Sequence, residues 1–354
     1  MIRHLFITLV TLLIYVISNA QSPPDSTVSH RTPFLIISGA ADIYFRCDLP
    51  GMGNNDFTSF THVKNQLRLG MVNLRMEHKT THFDMVADLA AGPRQWEYAY
   101  TDTGILRFIK QLYLSYAPTS WLKFTAGSWA THLCYESPDA FANRNYGMSW
   151  LFCNDPFSHT GIKADIVSGN HGFMIGIAHP CDYTSIPAAG YNNKNIIAQY
   201  SYSTGDKLRL YLNYVGGHDI HDDRSHQYDL VLTSKLSSLF SLGCNATINS
   251  SSLADEKYSI SRRWWGSALY LNLDPLSWLG LTLRTEYFND KQGVKLPAPT
   301  DVMAATFSVN LKSHGFTIIP ELRIDKAGAP IFSRGDGSPA YSAGSFLLAA
   351  VYSF

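Results

Sequence analysis

The chain has 354 residues, with 28 basic and 28 acidic side chains, so its formal net charge at neutral pH is zero. Charged residues make up only 16% and aromatics 13%, where an ordinary soluble domain is about a quarter charged. This balance excludes nucleic-acid binding, which needs a basic face. Five scattered cysteines (Cys47, Cys134, Cys153, Cys181, Cys244) are too few for a disulfide framework, although Cys134 and Cys153 could pair within one loop.

The first twenty residues read as a secretory leader. Arg3 precedes an apolar run from Leu5 to Ile17, and Ser18, Asn19 and Ala20 form a small-x-small cleavage site. The expected organisation is a leader over 1–20, a periplasmic N-terminal segment over 21–33 and one barrel over 34–354. No later run is long and apolar enough for a helical span.

From residue 34 onward, alternation with period two replaces helical periodicity. Strands are predicted at 36–46, 65–77, 82–90, 105–117, 121–129, 159–168, 172–179 and 195–203. Eight more follow at 207–215, 227–236, 239–249, 264–273, 279–288, 303–312, 316–325 and 344–354. Most approach the roughly ten residues that a tilted membrane strand needs.

Every second connection is tiny. The intervening ones, at 47–63, 92–104, 130–157, 180–194, 216–226, 250–263, 289–302 and 326–342, are long. Such sorting predicts an all-β fold: a transmembrane antiparallel barrel of about sixteen strands, with short periplasmic turns and long extracellular loops. An apolar face turned to lipid and a polar face turned to a wet lumen follow from that size.

The phase of each strand places Arg68, Asp88, Arg107, Lys123, Lys163, Asp165, Arg209, Arg284, Glu286, Glu321 and Arg323 in the lumen, with Asp42, Asp84 and Asp229 beside them. Mixed signs there predict no strong ion selectivity. Tyr116, Trp121, Tyr200, Tyr202, Trp278, Tyr352 and Phe354 are expected as an aromatic belt near the short turns. Tyr44, Trp129, Tyr214, Trp264, Trp265, Tyr287 and Phe288 are expected near the long loops. Three places resist the pattern: Lys110 falls outward unless a bulge shifts it, the phase changes near Met71 and Val72, and Pro320 interrupts a strand.

At 109–165 the motifs "IKQLYLSYAP", "LKFTAGSWATHLCYES", "NRNYGMSWLF" and "PFSHTGIKADI" stand in order. With "VKNQLRLGM" upstream and the terminal Phe354, they make the chain resemble the OmpL-like beta-barrel porin-2 proteins of bacterial outer membranes. The elements that match are Ser115 to Pro118, Gly127, Tyr135-Glu136, Asn145-Tyr146, Ser149 and His159-Thr160-Gly161. The resemblance implies a barrel in the outer membrane of a Gram-negative cell and a channel, without naming its solute. By likeness to other outer-membrane barrels, Tyr352 and Phe354 form the signal read by the insertion machinery.

The loop 130–157 is the longest and is aromatic and amphipathic, so it is expected either to narrow the lumen or to pack over the barrel mouth. In the first case Glu136, Asp139, Arg144 and Asp155 present charge at the constriction. His218, His221 and His226 share a loop with Asp219, Asp222 and Asp223, but their spacing matches no metal motif. No cofactor is implied, and hydrolase, zinc-protease and phosphate-loop signatures are missing, so no enzyme is expected.

The expected partners are the outer-membrane bilayer, the insertion machinery and small polar solutes, and a homo-oligomer of such barrels is allowed. The leading reading is a porin-like diffusion channel. The second is a plugged barrel that serves as a surface binding or adhesion protein.

Overall fold

The computed structural model describes residues 34–186, 192–205, 207–252 and 261–354; the leader and the 21–33 segment lie outside the described residues. The strands are β1 (Phe34–Asp48), β2 (Leu67–Lys79), β3 (Phe83–Ala91), β4 (Ile109–Thr119), β5 (Leu122–Ala130) and β6 (Ser158–Ser168). They continue with β7 (His171–Ala178), β8 (Asn195–Ser203), β9 (Leu208–His218), β10 (Arg224–Lys235), β11 (Phe240–Ser252) and β12 (Ser261–Leu276). β13 (Leu279–Asp290), β14 (Thr300–Ser313), β15 (Phe316–Ala327) and β18 (Ser342–Ser353) complete the wall. A small hairpin of β16 (Phe332–Ser333) and β17 (Pro339–Ala340) sits in the last long loop. Two short helices, α1 (Pro93–Tyr98) and α2 (Trp150–Asn154), lie in loops.

Sixteen strands close into one antiparallel barrel, and every sequence-predicted strand is present. Closure is made by β18 against β1, from Ala40 opposite Ser353 to Asp48 opposite Ser345. At the seam Phe354 and Gly39 exchange backbone hydrogen bonds of 3.0 and 3.2 Å, so the last strand leaves no free edge. The short turns fall at one end and the long loops at the other, as the connection lengths predict.

The irregular places have simple causes. Lys110 turns inward because the β3–β4 register shifts between Asp88 and Leu89, which leaves Lys110 as the extra residue of a bulge. Gly70 and Met71 together oppose Asp42 in a second bulge. A Cβ on Gly70 would lie 1.6 Å from Asp42 Oδ2, so only glycine lets this carboxylate reach inward. Around Pro320 the β14–β15 ladder skips from Ser308–Glu321 to Leu311–Ile318, because proline has no N–H to offer.

Apolar side chains form a continuous outer band, including Leu114, Ile162, Ile175, Met303 and Leu348, each more than two-fifths exposed. No soluble surface carries such a belt, and lipid covers it. Trp121, Trp278, Tyr116, Tyr352 and Phe354 stand outward at the short-turn end, as expected. The belt predicted at the loop end is half right. Trp265 is outward and packs on Tyr287 at 5.2 Å, whereas Tyr44, Trp129, Trp264 and Phe288 are buried inside the lumen. Strand position alone does not distinguish an interfacial aromatic from one that packs against an inserted loop.

Candidate functional site

The segment from Thr131 to Phe157 leaves β5, crosses the barrel interior and returns to β6. Its neck is closed by Thr131 N donating to Phe157 O at 2.9 Å. Its middle is the most deeply buried part: Tyr146, Met148, Trp150, Leu151 and Phe152 are at most 1% exposed. The segment divides naturally into an anchored arm, Glu136–Asn154, and a crossbar, His132–Tyr135.

The arm is moored to one half of the wall. Glu321 of β15 accepts from the Tyr146 and Gly147 amides at 2.8 and 3.0 Å, an approach that a Cβ on Gly147 would block at 2.6 Å. Tyr146 donates to Asp42 at 2.5 Å, and Asn145 donates to Ser308 at 2.6 Å. Ser149 caps α2 by accepting from Phe152 N at 3.1 Å. Trp150 donates its amide to Glu286 at 2.6 Å and its indole to Asp325 at 2.8 Å. Arg284, completely buried, donates to Glu136 at 2.6 Å, to Glu286 at 2.8 Å and to Gly147 O at 2.7 Å. Arg94 of α1 is buried too, with its guanidinium over the Phe60 and Tyr146 rings at 4.9 and 4.6 Å.

The crossbar is held to the opposite half more lightly. Leu133 docks among Trp129, Met174, Ile197 and Val215. His132 Nε2 meets Tyr214 O at 3.1 Å, and Gln199 donates to His132 O at 3.3 Å. Asp229 of β10 accepts from Cys134 N at 3.1 Å. Asn245 Oδ1 accepts from Tyr135 N at 3.2 Å and from Cys134 Sγ at 3.0 Å. Asp229 also receives Asn213 at 2.7 Å, Thr247 at 2.8 Å and Asn245 Nδ2, which fixes the amide orientation. Cys134 sits at φ 69°, a left-handed backbone that a non-glycine residue adopts only under constraint.

On this lighter side the lumen is hollow. An outer cavity of about 560 Å³ opens among the long loops, lined by β8–β11 and by Asp155. Two inner cavities of about 290 and 300 Å³ lie toward the short turns and share Tyr135, Arg209 and Thr233. The outer cavity shares no lining residue with either inner one, and the crossbar lines the inner side only. Their walls mix apolar surface with polar side chains: Gln199, Asn213, Thr233 and Asn272 on the inner side, Gln227 and Asn249 on the outer.

A family described as putative beta-barrel porin-2, OmpL-like, matches residues 35–354. The chain belongs to this family. It is an outer-membrane β-barrel of the porin class. No curated protein sequence matches it. In fold, this porin-2 barrel is similar to the anion-selective porin from Comamonas acidovorans, at 10% identity and TM-score 0.61, covering 91% of this chain and 100% of that one. It is likewise similar to OmpT of Vibrio cholerae in its trimer form, at 10% identity and TM-score 0.61, covering 91% and 99%. The outer-membrane channel DcaP of Acinetobacter baumannii matches at 12% identity and TM-score 0.59, covering 91% and 97%.

In the porin-2 barrel the four constriction candidates diverge to four places instead of facing one another. Glu136 is paired with Arg284, Asp139 with Lys110 and Arg144 with Asp274. Of the four, Asp155 alone lines the outer cavity; its Oδ1 accepts from Gln227 at 2.6 Å, and the Cys134 thiol also hydrogen-bonds to its carboxyl. Of the lumen candidates, Arg284, Glu286, Glu321 and Arg323 serve the arm, while Asp88 holds Lys110 at 3.2 Å. Lys163 lies 3.4 Å from Asp165 and over the Trp129 ring, and Lys123 faces Asp165 across the β5–β6 ladder. Arg68 opposes Tyr44 across the β1–β2 ladder, and Arg209 lines both inner cavities.

Arg107 is a correction. It lies in a 3₁₀ turn, Gly104–Phe108, ahead of β4, and its guanidinium rests over Trp96. The predicted strand began four residues too early because the turn is as apolar as a strand.

The histidine loop gathers no metal set among the described residues. His226 Nδ1 meets Tyr214 OH at 2.8 Å and its Nε2 accepts from Arg224 at 3.0 Å, so its nitrogens are already engaged. All five cysteines are free thiols, Cys134 and Cys153 included.

Proposed function

We propose that small polar solutes cross this outer-membrane channel along the β8–β11 side, from the outer cavity to the inner pair, past the His132–Tyr135 crossbar. The observation that carries the reading is the division of the lumen: one half is filled by the moored arm, and the other holds three cavities with amide and hydroxyl side chains in their walls. The amide and hydroxyl groups in these walls keep water and hydroxylated or amide solutes hydrogen-bonded in transit.

The crossbar makes the passage narrow, so the expected conductance is far below that of an open sixteen-stranded barrel. Planar-bilayer recordings and liposome swelling with sugars of graded size test this. Discrete small steps and a low size cut-off are the expected result, and the absence of any open-channel step overturns it. The surface-adhesion alternative is not favoured by the family to which the chain belongs. We read the chain as a channel and not as a hydrolase, and a lipase assay in detergent checks this.

The same reading assigns export to residues 1–20, recognition by the insertion machinery to Tyr352 and Phe354, and assembly to a homo-oligomer. Chemical cross-linking in native membranes tests the last of these.

A further inference from the structure

The charges that line the two inner cavities acquire a sign once their partners are counted. The acids there already have cations: Glu136 is paired with the buried Arg284, and Asp274 with Arg144, with Lys312 3.7 Å away. Arg209 lines both inner cavities and Lys235 lines one of them. Both residues are exposed, so solvent reaches them. Arg209 donates from Nε to Gly205 O at 3.3 Å, and among the described residues Lys235 Nζ meets no acceptor.

The strand ladders bring these groups together. Arg209 of β9 stands directly opposite Thr233 of β10, and Lys235 lies two positions further along the same face of β10. Lys235 N donates to Lys207 O at 3.1 Å, which continues that register and sets Lys207 opposite Lys235. Ser241 of β11 faces Lys235 from its other side and lines the same cavity. Opposite side chains have Cβ atoms about 5 Å apart, and long side chains on a diagonal pair such as Arg209 and Lys235 reach one another.

This arrangement is costly in the empty protein, because like charges set opposite each other in a ladder repel. The two turns that carry them, 203–209 and 233–241, hold three cations (Lys207, Arg209 and Lys235) against one acid, Asp206, which lies outside the described residues. By contrast, Lys110 and Lys163 elsewhere in the lumen each sit beside an acid, at 3.2 and 3.4 Å.

We propose that the inner cavity between β9 and β12 is a binding station for a small hydroxylated anion of the sugar-acid class, its carboxylate received by Arg209 and Lys235. A guanidinium and an ammonium supply charge and donors and accept nothing, which suits a carboxylate. Thr233 and Ser241 stand beside them with hydroxyls that donate and accept, which suits the hydroxyl groups of the same solute. The cavity volume of about 300 Å³ is at the small end of ligand pockets.

The inference deepens the channel reading by giving the solute a charge; it rests on that reading for passage and not for binding. Titrations followed by saturation-transfer NMR, on the whole protein in detergent, compare gluconate, glucose and glucosamine. These probes share a hydroxylated six-carbon skeleton and differ in charge. Gluconate is expected to bind best, and to bind less as added salt screens the exposed charges. Lys235→Gln is expected to weaken gluconate about fivefold at low salt, the upper range for an exposed charge contact. Arg209→Gln on the neighbouring strand gives the same measurement if the first variant fails to assemble. Absence of gluconate binding, equal binding of glucose or glucosamine, or unchanged gluconate affinity in an assembled variant overturns the assignment. Planar-bilayer recordings on the same samples report the channel separately: gluconate binding without conductance ends the channel reading and supports the station.

Discussion

Replacing Asp229 by Asn is the sharpest test of the crossbar. The carboxylate receives four donors: Cys134 N, Asn213, Thr247 and Asn245 Nδ2. An amide keeps one oxygen and turns an N–H₂ group toward donors, so one oxygen's pair of bonds is lost, either that from Cys134 N and Asn213 or that from Asn245 Nδ2 and Thr247. Either way the crossbar loses its bond to a charge, worth about 1.5–3 kcal/mol. The seated state therefore loses about 1.5–3 kcal/mol relative to a displaced one, which multiplies the displaced population about 10- to 150-fold. Single-channel recording at neutral pH reads this as longer or more frequent visits to a higher conductance level. A correctly folded Asp229→Asn barrel with wild-type conductance levels and dwell times refutes the idea that residues 132–135 form the divider.

The other predictions follow from the same contacts. Burial holds the His132 imidazole down at about 4, with the Tyr214 carbonyl and the Lys163 charge acting around it. Its seated form is neutral. The advantage of seating is complete above the ordinary histidine value near 6.5 and shrinks as pH falls toward 4. Conductance should thus rise between pH 6.5 and 4 in the wild type and lose that rise in His132→Phe; a flat profile in both argues against a buried His132. Arg284→Met leaves Glu136 and Glu286 buried without their shared partner and should cost about 3–5 kcal/mol, read in urea unfolding in detergent micelles; a loss under 1 kcal/mol would mean that the arm is not moored there. Deleting Phe354 removes the bonds to Gly39 at the seam and should cut the yield of inserted barrel while leaving the conductance of inserted molecules unchanged. Normal yield would remove the assembly role of this residue.

Most of the wall was legible because lipid and lumen impose opposite demands on alternate residues. Strands 195–203 and 279–288 show the pattern cleanly, and the structure places them at Asn195–Ser203 and Leu279–Asp290. Phase errors carried information too: Lys110 and Met71 mark bulges that bring Lys110 to Asp88 and Met71 N to Asp42. The lumen was less legible, because its contacts join residues remote in sequence. Arg284 meets Glu136 across 148 positions, and Trp150 meets Asp325 across 175. Neither spacing nor composition reports such pairs. Asn245 looked like one polar residue of an alternating strand, yet it holds the crossbar; its one signal was an amide in inward phase, in register near the inward acid Asp229. Arg94 was hidden in a stretch that reads as a solvated loop, although its guanidinium is buried between aromatic rings.

The two parts of the inserted segment differ in how they are held, and that difference decides which one moves. The arm is fixed by charge-assisted bonds to Asp42, Glu286, Glu321 and Asp325 and by the buried Arg284. Freeing it would strand several charges away from water, at several kcal/mol each. The crossbar's polar contacts to the wall include one to a charge, Asp229, and it packs two large side chains, Leu133 in its apolar pocket and Tyr135 stacked on Tyr270 at 4.0 Å. It also carries the left-handed Cys134, whose strain is released when the crossbar lifts. Displacing residues 132–135 while the arm stays seated is expected to enlarge the inner cavities that they line and to leave the ion pairs of the filled side in place. On this reasoning any opening is expected at residues 132–135 before the arm, and a wide state reached that way stays narrower than the barrel that surrounds it.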